Sequence, residues 1–430
     1  MSFPRYERYK NSGVDWLRKV PEHWQVKRLK FSARLVTERA IERVNPIALE
    51  NIESWTGRLL PSDTEFEGEG TAIRAGDVIF GKLRPYLAKA YLAQSDGEAV
   101  GDFHVMRPTS NVLGKFFLHQ LLNRDVVEII DGSTYGAKMP RVSWDFLSNM
   151  SVVTPPLAEQ RAIANFVERE AAKTDALIEE QQRLIDLLKE KRQAVISHAV
   201  TKGLHVGYSM KASDVDWIGQ VPGHWAVTRL GYYATVENGT TPSREKLEYW
   251  IDGHVPWLAS GEVNQLNIAE ASEFITEQAL TASSLRLLPE GTIVVGLVGQ
   301  GKTRGMSAIL RIAATINQNL AAICPGPKIL SEYILYLFQA MYESLREDGR
   351  GGNQAAINCK MLTSLRIPVP PISEQKIITE FLDKLTEEAK TLESEANEAI
   401  RLLQERRSTL ISDAVTGQID VRNYTPREAA

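Results

Sequence analysis

The stretch Val14-Asp15-Trp16-Leu17-Arg18-Lys19-Val20-Pro21-Glu22-His23-Trp24-Gln25-Val26-Lys27-Arg28-Leu29 returns about 200 residues later as Val215-Asp216-Trp217-Ile218-Gly219-Gln220-Val221-Pro222-Gly223-His224-Trp225-Ala226-Val227-Thr228-Arg229-Leu230, with ten of the sixteen positions identical. Three further matches follow in the same order. Thr154-Pro155-Pro156-Leu157-Ala158-Glu159-Gln160 is answered by Val369-Pro370-Pro371-Ile372-Ser373-Glu374-Gln375. Leu187-Leu188-Lys189-Glu190-Lys191-Arg192 is answered by Leu402-Leu403-Gln404-Glu405-Arg406-Arg407, and Ile196-Ser197-His198-Ala199-Val200-Thr201 by Ile411-Ser412-Asp413-Ala414-Val415-Thr416. Solenoid repeats have far shorter periods, so the chain is a duplicated domain pair rather than an array.

The later part of each copy reads as one long helix. A Pro-Pro pair stops regular structure and sets up a helix start, and about 40 residues without Gly or Pro follow it. Thr174, Gln181, Leu188 and Val195 fall seven apart, with Leu177, Leu184 and Lys191 offset beside them. In the second copy Leu382, Ala389, Ala396, Leu403 and Leu410 keep that spacing, offset against Leu385, Leu392 and Ala399. Such seams bury one stripe against another helix, and packing the two helices together is the simplest solution. Each would run about 60 Å at the helical rise. A separate partner covering the seam is the competing arrangement, for which the polar Gln181 and Lys191 leave room.

The earlier part of each copy differs in kind. Gly76-Asp77-Val78-Ile79-Phe80-Gly81 and Glu290-Gly291-Thr292-Ile293-Val294-Val295-Gly296 are β-rich runs bounded by glycine, hence strand then turn. Residues 116–122 and 333–342 read as short amphipathic helices. The expected fold class is α+β: two related globules and two long helices packed as an antiparallel coiled coil, with pseudo-twofold duplication. The expected boundaries are 1–154 and 204–368 for the globules, 155–203 and 369–420 for the helices, and 421–430 for a tail. In the middle the copies diverge, Lys82-Leu83-Arg84-Pro85-Tyr86 facing Gly299-Gln300-Gly301-Lys302-Thr303-Arg304.

The net charge of −4 over 430 residues is unevenly placed. Residues 159–190 and 374–405 carry −3 and −5, which leaves +4 for the remainder. Residues 74–92 hold Arg74, Lys82, Arg84 and Lys89 against Asp77 alone, and residues 296–312 hold Lys302, Arg304 and Arg311 with no acid. Short basic segments bind phosphate whatever the global charge. Two cysteines, Cys324 and Cys359, without ligand-like spacing argue against a disulfide framework or a zinc site and fit a reducing cytoplasm. No apolar run reaches the roughly 18 residues of a membrane span, and the first residues lack a signal-peptide pattern.

Gly296-Leu297-Val298-Gly299-Gln300-Gly301-Lys302-Thr303 matches the P-loop pattern in full. A working P-loop leads into a helix whose N-terminus faces the phosphates. Here Ser307-Ala308-Ile309-Leu310-Arg311-Ile312 reads as a second strand, so a hairpin loop offering Lys302, Thr303 and Arg304 to DNA is the preferred reading. Thr154-Pro155-Pro156-Leu157 and its mate lack both the amide or acid and the aromatic that the Asp/Asn-Pro-Pro-aromatic motif of amino-methyltransferases requires. Glu374-Gln375-Lys376 lacks the Pro-Asp partner of a nuclease. His23 and His224, beside tryptophan in both copies, read as packing residues.

The order of globule, Pro-Pro-x-x-Glu-Gln helix, globule and second such helix resembles the DNA specificity subunit of type I restriction-modification systems. So do Val-Pro-x-His-Trp at residues 20–24 and 221–225, residues 76–86, and the stretch from Gly239-Thr240-Thr241-Pro242-Ser243 through Val255-Pro256-Trp257. The resemblance implies a cytoplasmic, non-catalytic subunit that reads a split double-stranded DNA target, one globule per half-site. It further implies that two methyltransferase (modification) subunits dock on the chain and that restriction-translocase subunits join through them. S-adenosylmethionine, magnesium and ATP then belong to those partners. Arg favours guanine and Asn or Gln adenine in the major groove. The candidate DNA contacts are Lys82, Arg84, Tyr86 and Lys89 in the first copy and Gln300, Lys302, Thr303 and Arg304 in the second. Lys138 and Arg141, with Arg350, Asn353 and Gln354 as their counterparts, extend the set. Lys191, Arg192, Arg406 and Arg407 are the candidate partner surface. The rival readings are a P-loop nucleotide-binding protein and a coiled-coil protein–protein scaffold.

Overall fold

The computed structural model describes residues 3–41, 44–61, 70–136, 138–299, 302–348 and 357–424. The chain divides into two compact units, and the division runs through both long helices. The first unit takes residues 1–182 and 397–430; the second takes residues 183–396. The helices are Leu157–Lys202 and Ile372–Thr416, so each unit holds part of both.

In the first unit a four-stranded antiparallel sheet runs in the order Ala33–Val36, Phe103–Pro108, Val78–Gly81, Ala90–Leu92. Successive side chains point to opposite faces, and both faces are covered. Val78, Phe80 and Met106 pack with Phe117, Leu121, Val126 and Ile130 of the helices Gly114–Leu121 and Arg124–Gly132. Ile79, Val105 and Phe103 pack on the other side with Ile47, Ile52 and Ile73. Burial on both sides is why the strand reads as a continuous apolar run instead of an alternation.

The second unit repeats the sheet order: Ala234–Asn238, Leu320–Pro325, Ile293–Gly296, Ser307–Leu310, with Asn267–Ile268 added in parallel at the edge. Ile293, Val295, Ile309 and Ile323 pack with Tyr333, Ile334 and Phe338 of the helix Ser331–Ala340. Val294, Ala308, Leu310 and Ala322 face Leu258, Ile268 and Ile316. The expected second strand after the P-loop-like stretch is Ser307–Leu310, hydrogen-bonded antiparallel to Ile293–Gly296. A Cβ on Gly296 would lie 2.3 Å from the Thr303 carbonyl oxygen, so the hairpin closes too tightly there for a side chain. Among the described residues no helix follows the P-loop-like stretch directly; the strand Ser307–Leu310 stands in its place.

The duplicated His-Trp and Glu-Gln motifs pack together in both copies. Glu159 accepts hydrogen bonds from Trp24 Nε1 at 2.9 Å and from the Tyr6 hydroxyl at 3.1 Å, and its other oxygen lies 2.6 Å from His23 Nε2. Glu374 does the same for Trp225 Nε1 at 3.0 Å and His224 Nε2 at 2.6 Å. Gln160 and Gln375, both fully buried, accept from the Leu113 and Leu330 amides and donate to the Pro155 and Pro370 carbonyls. Glu-Gln at a helix start thus ties that helix to the entry strand region and to its globule at once.

The buried face of the long helices departs from expectation in one stripe. Thr174, Gln181, Leu188 and Val195 are buried or half-buried, as are Leu382, Ala389, Ala396, Leu403 and Leu410. The companion stripe on the first helix is Ala171, Ile178, Ile185, Arg192 and Ala199; Leu177 and Leu184 are 52% and 42% exposed, and Lys191 is exposed too. On the second helix Thr379, Thr386, Glu393, Ile400, Arg407 and Ala414 are buried or half-buried, but so are Leu385 and Ala399 of the expected stripe, whose Leu392 is 46% exposed. Either neighbour of the first stripe satisfies the alternating three-four spacing of a heptad. On the first helix, then, leucine content favours one side and the buried side is the other.

Within the first unit Ile163, Phe166 and Val167 share a core with Ile411, Ala414 and Val415. Within the second, Ile196, Ala199 and Val200 share one with Ile378 and Leu382. Gly203 and Gly417 end the two helices in left-handed conformation, φ +74° and +76°, as helix C-termini favour. Among the described residues no helix is long and apolar enough to cross a membrane, and no group of three or more His, Cys, Asp or Glu is placed to hold a metal.

Candidate nucleic-acid interface

One edge of each sheet collects the loops that carry the basic segments. In the first unit this edge lies where Phe103 pairs with Gly81. The loop leaving Gly81 is tied down by Lys82 N donating to Asp102 O at 2.7 Å and by Arg84 N donating to Pro140 O at 2.8 Å. A bridge between Leu83 and Arg141 completes it. Two segments far apart in sequence, 82–84 and 138–141, therefore meet. Arg84 and Lys138 are exposed, and Lys82 is half-buried. Arg84 adopts φ +49°, a left-handed backbone that costs a non-glycine residue about 1 kcal/mol. The Arg141 guanidinium is gripped by Asp102 at 2.7 Å, and this hydrogen-bonded carboxylate raises its pKa further. Beneath them His104 donates to Val142 O at 3.1 Å, and burial pushes its pKa down to about 4, so it is a neutral buttress.

The second unit builds the same edge with other side chains. Leu297 N donates to Asn319 O at 2.9 Å, the repeat of the Lys82–Asp102 bond. Thr240 N donates to Ile316 O at 3.0 Å, and the Thr241 hydroxyl donates to Gln318 Oε1. Lys302 is exposed beside this edge, and Thr303 is half-buried. Lys302 contributes its carbonyl oxygen to the Tyr342 hydroxyl at 2.7 Å, which leaves its ammonium unconstrained by that bond.

The other candidates are placed differently. Lys89 donates inward to Leu49 O at 2.6 Å, and Arg304 donates to Arg346 O at 3.1 Å, so both have structural work. Tyr86 is exposed and lines a cavity of about 760 Å³ in the first unit, beside Trp55, Arg124, Asp175 and Arg407. Arg407 is held there by Asp175 and by the Trp55 carbonyl at 3.2 Å. That internal engagement explains why it is half-buried, and it makes Arg407 a poor partner-docking residue. Arg192, its repeat mate, is half-buried, whereas Lys191 and Arg406 are exposed. Gln300, Arg350, Asn353 and Gln354 lie outside the described residues. The sequence does not single out Asp102, Thr241 or Gln318, since polar turn residues carry no periodicity. One signal at this edge is the triplet Asn317-Gln318-Asn319 directly before the apolar run 320–323, and Thr241 lies in the stretch 239–243 that carries the family resemblance.

Comparison with known proteins places these features in a family context. Residues 222–402 match the family model described as "Type I restriction modification DNA specificity domain". The chain is 31% identical over 179 residues to the EcoR124I/EcoR124II specificity subunit of Escherichia coli, an alignment covering 41% of this chain and 42% of that protein. It therefore spans less than half of that relative's length. It is 25% identical over 304 residues to the MjaVIII specificity subunit of Methanocaldococcus jannaschii, 68% of each protein. A solved chain from work on complex assembly and conformational transition of a type I R-M system superposes with a TM-score of 0.74 over 92% of this chain and 98% of that one. At 20% identity this likeness establishes a shared fold of mixed helix and sheet.

Proposed function

We propose that this chain, whose residues 222–402 match the type I restriction modification DNA specificity domain, belongs to that family and is the non-catalytic subunit reading a bipartite double-stranded DNA target for its enzyme partners. The observation that carries this reading is the duplicated sheet edge. Its backbone bonds, Lys82 to Asp102 and Leu297 to Asn319, are the same in both units while the polar side chains differ. A scaffold repeated with unlike polar edges is what two readers of unlike half-sites require. Lys82, Arg84 and Lys138 in one unit and Lys302 in the other supply phosphate contacts with salt-dependent affinity. Base edges are then read in the major groove.

In this reading residues 1–154 and 204–368 are the two readers. The helices of 155–203 and 369–420 pair antiparallel as a coiled-coil spacer, so that helix length becomes half-site spacing. The heptad stripes support that pairing. Two modification subunits dock along the helices, with exposed Lys191 and Arg406 on the docking surface, and restriction-translocase subunits join through them. S-adenosylmethionine, magnesium and ATP act in those partners, in the cytoplasm. The test is a genome-wide map of methylated sites in cells with and without this chain beside its modification subunits. The expected result is a split motif methylated only when the chain is present; an unchanged map overturns the proposal.

A further inference from the structure

We propose that Gln318 is a specificity-determining residue of the second unit, held in its reading pose by Thr241, and that the base it selects is adenine. The inference rests on the DNA-reading function above and assigns one side chain within it. The internal duplication separates scaffold from reader: a feature present in both copies holds the fold, and a feature that differs at the same backbone position is free to read. At the sheet edge the residue before the shared bond is Gly101 in the first unit and Gln318 in the second. Gly101 has φ +92° and offers no side chain; Gln318 is exposed.

The turn that carries Gln318 is fixed from several sides. Asn317 N donates to Leu258 O at 3.0 Å, and Asn319 N donates to Asn317 Oδ1 at 3.0 Å. The facing loop is equally held. Trp257 Nε1 donates to Thr240 O at 3.1 Å, Trp250 Nε1 donates to Ser243 O at 3.0 Å, and the Arg244 guanidinium stacks 3.7 Å over the Trp250 ring. Thr241 is thereby positioned to donate its hydroxyl to Gln318 Oε1.

That bond determines what Gln318 can recognise. A donor on Oε1 orients the amide, leaving one lone pair on the oxygen and both hydrogens on Nε2. An acceptor beside a donor is the complement of adenine N6 and N7 in the major groove. A free glutamine must surrender side-chain freedom on binding, and the Thr241 bond removes part of that loss beforehand. The first unit holds a different device at the same edge, the Asp102 carboxylate gripping Arg141, whose fork matches guanine O6 and N7.

The test uses the full chain with its modification subunits and reads the methylated motif genome-wide for the wild type, Gln318→Ala, Gln318→Glu, Thr241→Val and Thr241→Ser. Gln318→Ala and Thr241→Val are expected to make one A·T position degenerate, with discrimination there falling about ten- to a hundred-fold and the other half of the motif unchanged. Thr241→Ser retains the hydroxyl and keeps the wild-type motif. Should Gln318→Ala abolish methylation, the isosteric Gln318→Glu decides, and loss of adenine preference at that one position is the supporting result. Variants that leave every position as in the wild type, or weaken all positions alike, overturn the assignment. A wild-type chain that imposes no motif defeats the DNA-reading premise instead, so the two failures are distinguishable.

Discussion

Glu159 serves three donors, and its exchange for alanine should be costly out of proportion to its size. Trp24 Nε1 and the Tyr6 hydroxyl would be left buried without an acceptor, and each orphaned buried donor costs about 1–3 kcal/mol. We expect Glu159→Ala to lower unfolding free energy by about 2–4 kcal/mol in urea titrations, with Glu159→Gln milder because its amide oxygen still accepts. A second residue-scale prediction concerns acid. His104 and His119 are buried in the first unit, and burial lowers both to about 4 from the ordinary 6.5, the nearby Arg407 charge adding to the effect at His119. Neither ring nitrogen of His119 finds a partner among the described residues. Between pH 6.5 and about 4 the unfolded chain thus binds more protons than the folded one. Stability is complete above that window and drains away as pH falls through it, by about 3 kcal/mol for fully buried His119 at the lower end. Hydrogen exchange at pH 7 and pH 5 should show the first unit weakening before the second, and His119→Phe should flatten the loss. An equal acid response in both units would count against this.

At the scale of elements, the glycines that end the long helices are matched but not equally crowded. A Cβ on Gly417 would meet Pro21 at 2.5 Å and Trp24 at 2.9 Å, whereas one on Gly203 would meet Trp225 at 3.1 Å. Both alanine variants forfeit about 1–2 kcal/mol through the left-handed backbone, and Gly417→Ala should cost more than Gly203→Ala in thermal unfolding. The spacer reading adds a functional prediction. One heptad inserted into both helices lengthens each by about 10.5 Å at the helical rise, equal to about three base pairs at 3.4 Å. The unread gap in the methylated motif should widen by that amount while the half-sites stay as they were. Much of this level was legible beforehand. The strands at Val78–Gly81 and Ile293–Gly296, the hairpin in place of a P-loop helix, and one stripe of each long helix follow from glycine punctuation and heptad spacing. The companion stripe of the first helix was not legible, because Leu177 and Ile178 satisfy the same spacing and only packing distinguishes them. Asp102, Thr241 and Gln318 were not legible either. Their contacts come from strand register, which brings distant turns to one edge and leaves no periodic trace.

Across the whole molecule, the segments 3–9 and 417–424 pack together as a linker between copies would. Asp420 N donates to Pro4 O at 2.8 Å, the Tyr9 hydroxyl reaches Gly417 O at 3.1 Å, and Phe3 and Tyr424 flank Phe166. In the repeat, the segment after Gly203 runs on without a break into the second copy, with Val206 fully exposed. Joining residue 424 to residue 3 through a short Gly-Ser linker and opening the chain at Val206 should therefore preserve folding and the methylated motif; loss of either would show that chain order matters beyond contact. The repeated Glu-Gln helix starts carry a further consequence. The residues that lock each half together, Glu159, Gln160, Glu374 and Gln375, are distinct from the side chains that differ at the sheet edges. On the proposed DNA-reading function, mutation or exchange of segments at those edges changes the target at little folding risk, so a lineage is free to diversify its vocabulary and keep its grammar.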